Sequence, residues 1–151
     1  MIGSMSPTDP NAPLLPLRLH PGDDLRRALE QALAQQNVEA AFVLSGIGSL
    51  RPAVLRLAGA VDALQIDGDT EVLTLAGTLG AAGTSHLHMS VADHQGRVVG
   101  GHAGYGCIVR TTAEVLLMLL PAWQFSREPD ATTGYAELAI RRLINPGAAP
   151  C

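Results

Sequence analysis

What most constrains the fold of this chain is a switch of hydrophobic period at Val38. Before it, in "HPGDDLRRALEQALAQQN", Leu25, Ala28, Leu29, Ala32 and Leu33 recur at helical spacing, and Asp23 or Asp24 stands where a side chain caps the first free amides. After it, apolar residues alternate or run in short blocks bounded by Gly, Asp or Pro: "EAAFVLSGIGSL", "AVLRLAG", "EVLTLAGTL", "SHLHMSVAD", "RVVGGH" and "CIVRTTAEVLLML". An earlier run, "LLPLRL" at 14–19, reads as a short strand whose Pro16 suits a sheet edge. One helix and a series of strands, with no repeat or linker, predict a single α+β domain with a mostly antiparallel sheet. The segment "GYAELAIRRL" at 134–143 has mixed periodicity and reads equally as a second short helix or a strand. "SGIGS" at 45–49 fits neither GxxxxGK[ST] nor GxGxxG, and the chain has no lysine, so it is expected to be a tight turn after a buried strand.

The domain is expected to span 14–144, with 1–13 disordered or tag-derived and 145–151 a flexible C-terminus. The net charge is −4, and the ten basic residues are all arginines without a basic run. Affinity for nucleic acid needs clustered cations that release counterions from phosphates, so unaided DNA binding is disfavoured unless folding gathers the arginines into a patch. No signal peptide is evident, and the longest apolar run, "VLLMLLPAW", is too short to span a bilayer and contains Pro121. A cytoplasmic protein with no membrane partner is expected. Cys107 lies in an apolar stretch and reads as a small buried hydrophobe; with Cys151 it forms neither a disulfide framework nor a cysteine zinc knuckle.

The chemistry concentrates in "SHLHMSVADHQGRVVGGH". Residues two apart on a strand point the same way, so His86 and His88 share one face while Leu87, Met89 and Val91 line the other. Asp93 and Gly96 suit a three-residue hairpin loop, His94-Gln95-Gly96, with the glycine in a left-handed conformation. That loop pairs Asp93 with Arg97 and sets His88 directly opposite His102, so three imidazoles converge; a two-residue loop would turn His102 to the other face. Three imidazole nitrogens with an open fourth position are a common zinc set, and nickel, copper or iron accept the same donors. Metal-free sheet histidines are the competing reading. Glu114 is a weak candidate for a general base or for a hydrogen-bond partner of a ligand histidine, if its strand lies beside the hairpin. Arg110, Thr111, Thr112 and Glu71 are further candidates of that kind, and exposed strand positions are the alternative for all. His20 and His94 are expected to be solvated.

"LRLHPGDDLRRALEQAL", "AAFVLSGIGSLRPAVLRL", "EVLTLAGTL", "SHLHMSVADHQGRVVGGH", "GCIVRTTAEV" and "TGYAEL" together resemble the plant and prokaryote conserved (PPC) domain, in the same order and over nearly the whole chain. The resemblance implies an α+β fold, a mostly antiparallel sheet of about seven strands with one or two helices packed on it, and a homotrimer. In plants the domain follows AT-hook segments, and bacterial relatives often carry a DNA-binding label. This sequence has no AT-hook core, whereas His86, His88 and His102 match the proposed metal positions of the stand-alone prokaryotic type. Three functions stay open: a DNA-binding or transcription-related protein that carries the three-histidine metal (zinc) site, a metal-dependent small-molecule binding protein or enzyme with no direct DNA binding and no assignable reaction, and a passive trimeric assembly domain.

Overall fold

A computed structural model describes residues 13–81 and 83–143. The expectations for 1–12 and for 144–151, Cys151 included, lie outside the described residues. In chain order the elements are β1 (Leu14–Leu19), α1 (Leu25–Gln35), β2 (Ala40–Leu50), β3 (Ala53–Arg56), β4 (Ala63–Ile66), β5 (Thr70–Gly80), β6 (His86–Asp93), β7 (Val98–Ala103), β8 (Val109–Leu119), β9 (Trp123–Pro129) and β10 (Ala136–Arg142).

The main sheet has eight strands in the order β1-β8-β2-β5-β6-β7-β3-β4, and β9 and β10 form a separate two-stranded ribbon. All strand pairs in both sheets are antiparallel. The expected sheet of about seven strands is thus one strand short, because β4 is a four-residue strand with no buried side chain and leaves no alternation to read. A single helix is present among the described residues, and 134–143 contributes strand β10. No helix among them is long and apolar enough to cross a membrane.

The helix forms where its period predicted. Leu25, Ala28, Leu29, Ala32 and Leu33 are all buried, and Asp24 is the N-cap, accepting from the Arg27 amide at 3.1 Å. The other Asp24 carboxylate oxygen accepts from the Gly106 amide at 2.7 Å, and the Leu25 amide donates to the Cys107 carbonyl at 2.8 Å. These bonds pin the start of α1 to the turn before β8. Leu87, Met89 and Val91 of β6 join the same apolar core as the helix, so the histidines of that strand face away from it.

The sheet curls strongly. β2 and β3 are joined by only Arg51 and Pro52, yet they stand third and seventh in the strand order. The seam is closed by the Arg51 amide donating to the Ile108 carbonyl at 2.8 Å and the Ile108 amide donating to Pro52 at 3.0 Å. Cys107 sits there fully buried, its sulfur 3.2 Å from the Val54 amide, and burial pushes its thiol pKa up.

The turn expected at "SGIGS" is not there: residues 45–49 remain inside β2, where Ser45, Gly46, Ile47 and Gly48 pair with β8 between two register shifts and Gly48 and Ser49 pair with β5. The glycines serve close approach. A Cβ on Gly46 would lie 2.8 Å from the Leu75 side chain, and one on Gly48, with φ +150, would lie 2.6 Å from the Thr112 carbonyl oxygen.

Candidate metal centre

The hairpin between β6 and β7 has the register its turn residues dictate. Gly96 has φ +77, its amide donates to the Asp93 carbonyl at 2.9 Å, and the Asp93 amide donates to Arg97 at 3.0 Å. The Asp93 side chain reinforces the loop by accepting from the amides of Gln95 and Arg97. Counting back from this turn, Ala92 pairs with Val98, Val91 with Val99, and His88 with His102.

His86, His88 and His102 therefore meet on one face, with one ligand atom from each lying within 4.8 Å of the others. His86 Nε2 is 3.1 Å from His88 Nε2 and 3.0 Å from His102 Nδ1. The rings of His86 and His102 stack at an interplanar angle of 12°, and His88 stands edge-on to both. Donors ~2.0–2.1 Å from a tetrahedral ion lie about 3.3–3.4 Å apart, so the rings need only small adjustments to hold one. Without an ion, a single nitrogen of His86 faces two other ring nitrogens, and its one hydrogen or lone pair cannot serve both equally. Burial, then the neighbouring Arg127, holds the His86 pKa below its ordinary value; burial, then Arg56, does the same for His102. Both rings therefore favour the neutral form a metal requires.

Arg26 on α1 clamps the ends of the two strands that carry the site. Its guanidinium donates to the carbonyls of Ser85, at 2.8 Å, and Ala103, at 3.3 Å, the residues directly before His86 and directly after His102. Glu30 pairs with it at 3.2 Å and Tyr105 stacks on it with 4.4 Å to the ring centroid. On β3, Arg56 is the direct cross-strand partner of His102, so the row across the sheet runs His88, His102, Arg56. From the ribbon, Arg127 reaches toward the start of β6, its Nε 3.4 Å from the Thr84 carbonyl. None of these three arginines was among the candidates read from sequence. They lie 30 and 71 residues apart along the chain, and only the strand order gathers them.

The other candidates lie elsewhere. Glu114 is exposed on β8 opposite Arg18 and Ile47, and β8 is separated from β6 by β2 and β5, so its strand is not beside the hairpin. Thr111 Oγ1 lies 2.6 Å from Ser49 Oγ, Thr112 flanks the same stretch of β8, and Arg110 pairs with Asp69 at 3.1 Å. Glu71 is exposed on β5 opposite Ala92, at the turn end of β6. His20 and His94 are both exposed.

The family model of the Plants and Prokaryotes Conserved (PCC) domain matches residues 10–121. The bifunctional protein GlmU of Synechococcus sp. (strain JA-3-3Ab) is 48% identical over 128 residues, covering 85% of this chain and 20% of that protein. The chain thus spans about a fifth of the length of the curated relatives it matches. Among solved structures, a hypothetical protein from Salmonella enterica shares 40% identity with a TM-score of 0.83, covering 87% of this chain and 94% of that one. The metal-containing protein AF0104 from Archaeoglobus fulgidus shares 26% identity with a TM-score of 0.69, covering 83% and 92%. A protein from Bacteroides thetaiotaomicron with a proposed DNA-binding role has the same fold at 17% identity, with a TM-score of 0.74 and coverage of 84% and 91%.

Proposed function

Because the chain belongs to the Plants and Prokaryotes Conserved domain family, we propose that it is a metal-binding member in which His86, His88 and His102 hold one divalent transition-metal ion, zinc in the first instance, with the remaining position open to water or a small molecule. The observation that carries this reading is the approach of three ring nitrogens to 3.0–3.1 Å about His86, on strands whose register the Asp93–Gly96 turn fixes. The similarity to a metal-containing protein supports it. A bound zinc ion would polarise a carbonyl or lower the pKa of a water molecule. The chain's own part is to keep two imidazoles neutral by burial and nearby guanidinium charge, and to hold the strand ends in place through Arg26. Elemental analysis of protein purified without an affinity metal should find close to one equivalent of metal per chain, lost in His88→Ala. A wild-type protein that holds none after zinc is supplied refutes the reading.

The homotrimer implied by the family is proposed as the working assembly. It is supported by apolar side chains left exposed on the sheet, with Leu44 at 46%, Ile47 at 57% and Leu73 at 48%. Light scattering at micromolar concentration should give three times the chain mass, and a monomer would refute it. Duplex DNA as a partner rests on family likeness alone and runs against a net charge of −4. A low-salt mobility shift that vanishes as salt rises would support that role, and no shift at low salt would end it.

A further inference from the structure

We propose that the cleft beside the three histidines is an anion site, built to take a small molecule that carries a compact oxyanion, carboxylate or phosphate, between Arg56 and Arg127. The cleft has a volume of about 650 Å³, within the usual range for small-molecule sites, and His86 and His102 form part of its wall. Its charge is opposite to that of the whole chain. Arg26, Arg56 and Arg127 line it against a single carboxylate, Glu137, in a chain whose net charge is −4.

The engagement of these cations separates structural from available charge. Arg26 is committed to Glu30, Ser85 and Ala103. Arg56 is exposed, has no carboxylate partner among the described residues, and makes one long contact to the Ala60 carbonyl at 3.5 Å. Among the described residues Arg127 has one ion-pair contact, a long one to Glu137 at 4.0 Å, besides its 3.4 Å contact to the Thr84 carbonyl. By contrast Arg51, Arg97 and Arg141, away from the cleft, hold carboxylates at 2.7 Å or closer. In a protein with more carboxylates than arginines, two guanidinium groups left under-paired in one concavity are an arrangement suited to an oxyanion, which each fork can bind through two hydrogen bonds. Ser85 adds an independent mark. It lines the cleft at 7% exposure, and its hydroxyl has no hydrogen-bond partner among the described residues. Arg56 also stands next to His102 across the β7–β3 pairing, which brings an anion it holds toward the histidine face.

This inference goes beyond the metal reading, since guanidinium groups attract an oxyanion whether or not the histidines hold an ion. The test is isothermal titration of inorganic phosphate and of malonate into metal-free and zinc-supplied protein, with chloride at matched ionic strength as reference. Saturable binding is expected. Arg56→Ala and Arg127→Ala should each weaken it about tenfold or more, while Arg142→Ala, outside the cleft, leaves it unchanged. Phosphate binding alone or malonate binding alone would each uphold the site and name its oxyanion. No saturable binding of either anion, or binding that both cleft variants leave intact, overturns it. Anion binding without zinc uptake refutes the metal reading only, and zinc uptake without anion binding refutes this inference only. Arg56 is exposed, so its variant keeps the test sound even if Arg127→Ala does not fold; circular dichroism checks both.

Discussion

Replacing Gly77 by alanine should dismantle the histidine cluster from the neighbouring strand. Gly77 pairs with Val43 on one side and Leu87 on the other, with φ +144, a conformation that L side chains rarely adopt. A Cβ there would lie 2.0 Å from the His86 carbonyl oxygen, where ordinary contact begins at 3.4 Å, and 2.9 Å from the Leu87 Cα. Both are backbone atoms, so relief means moving the start of β6 by about 1.4 Å, the shortfall between those two distances. Metal–ligand distances tolerate about ±0.2 Å, so zinc binding should fail. Overpacking at ~1–3 kcal/mol and backbone strain at ~1–3 kcal/mol together predict about 2–6 kcal/mol of destabilisation. For a chain of this size that is a fall in Tm of at least ~5 °C. The assay is a thermal melt with and without zinc, with metal content measured in parallel. Gly59→Ala is the control, since its φ is +70 but nothing lies within 4 Å of the added Cβ, so it reports the backbone effect alone. A Gly77→Ala protein with wild-type Tm and a full metal complement would refute the claim that this glycine positions His86.

Three further outcomes are expected. Arg26→Ala removes charged hydrogen bonds to the Ser85 and Ala103 carbonyls and should cost about 1.5–3 kcal/mol in urea unfolding; the clamp idea fails if zinc affinity is unaltered. Asp24→Ala should cost about 1–2 kcal/mol through loss of the N-cap, with further loss from the freed Gly106 amide, and a urea midpoint within error of wild type would count against it. The His86 and His102 pKa values lie below the ordinary 6.5, so in the interval beneath that value the unfolded chain binds more protons than the folded one. The stability of the metal-free protein should therefore be fully present above about pH 6.5 and fall on acidification. Urea midpoints at several pH values check this, and a His86→Gln/His102→Gln variant should show a flatter profile.

The parts of the site that were legible in the sequence are those fixed by neighbours in the chain. The register that sets His88 against His102 depends on Asp93 and Gly96, a few residues away, and alternation along β6 assigns its faces. What was not legible depends on strand order. Arg56 joins the site only because β3 pairs with β7, and Arg127 only because the ribbon approaches β6. Glu114 fell outside the site for the same reason, since two strands intervene. The ribbon strand β9 buries one residue, Phe125, which packs edge-on to Phe42 at 5.6 Å, and one buried position in seven leaves no period to detect. "SGIGS" misled because glycines that admit a neighbouring strand have the same composition as glycines that reverse a chain.

The pairing of Leu14–Leu19 with Val109–Leu119 has a consequence for biosynthesis. Strand β1 must wait for β8, whose partner positions emerge roughly 5–20 s later at ordinary elongation rates. Until then α1 also lacks the Cys107 carbonyl and Gly106 amide that anchor its first turn. Between the emergence of β1 and that of β8 the nascent chain therefore carries an unpaired apolar strand and a loosely held helix, and closure of the core is a long-range event.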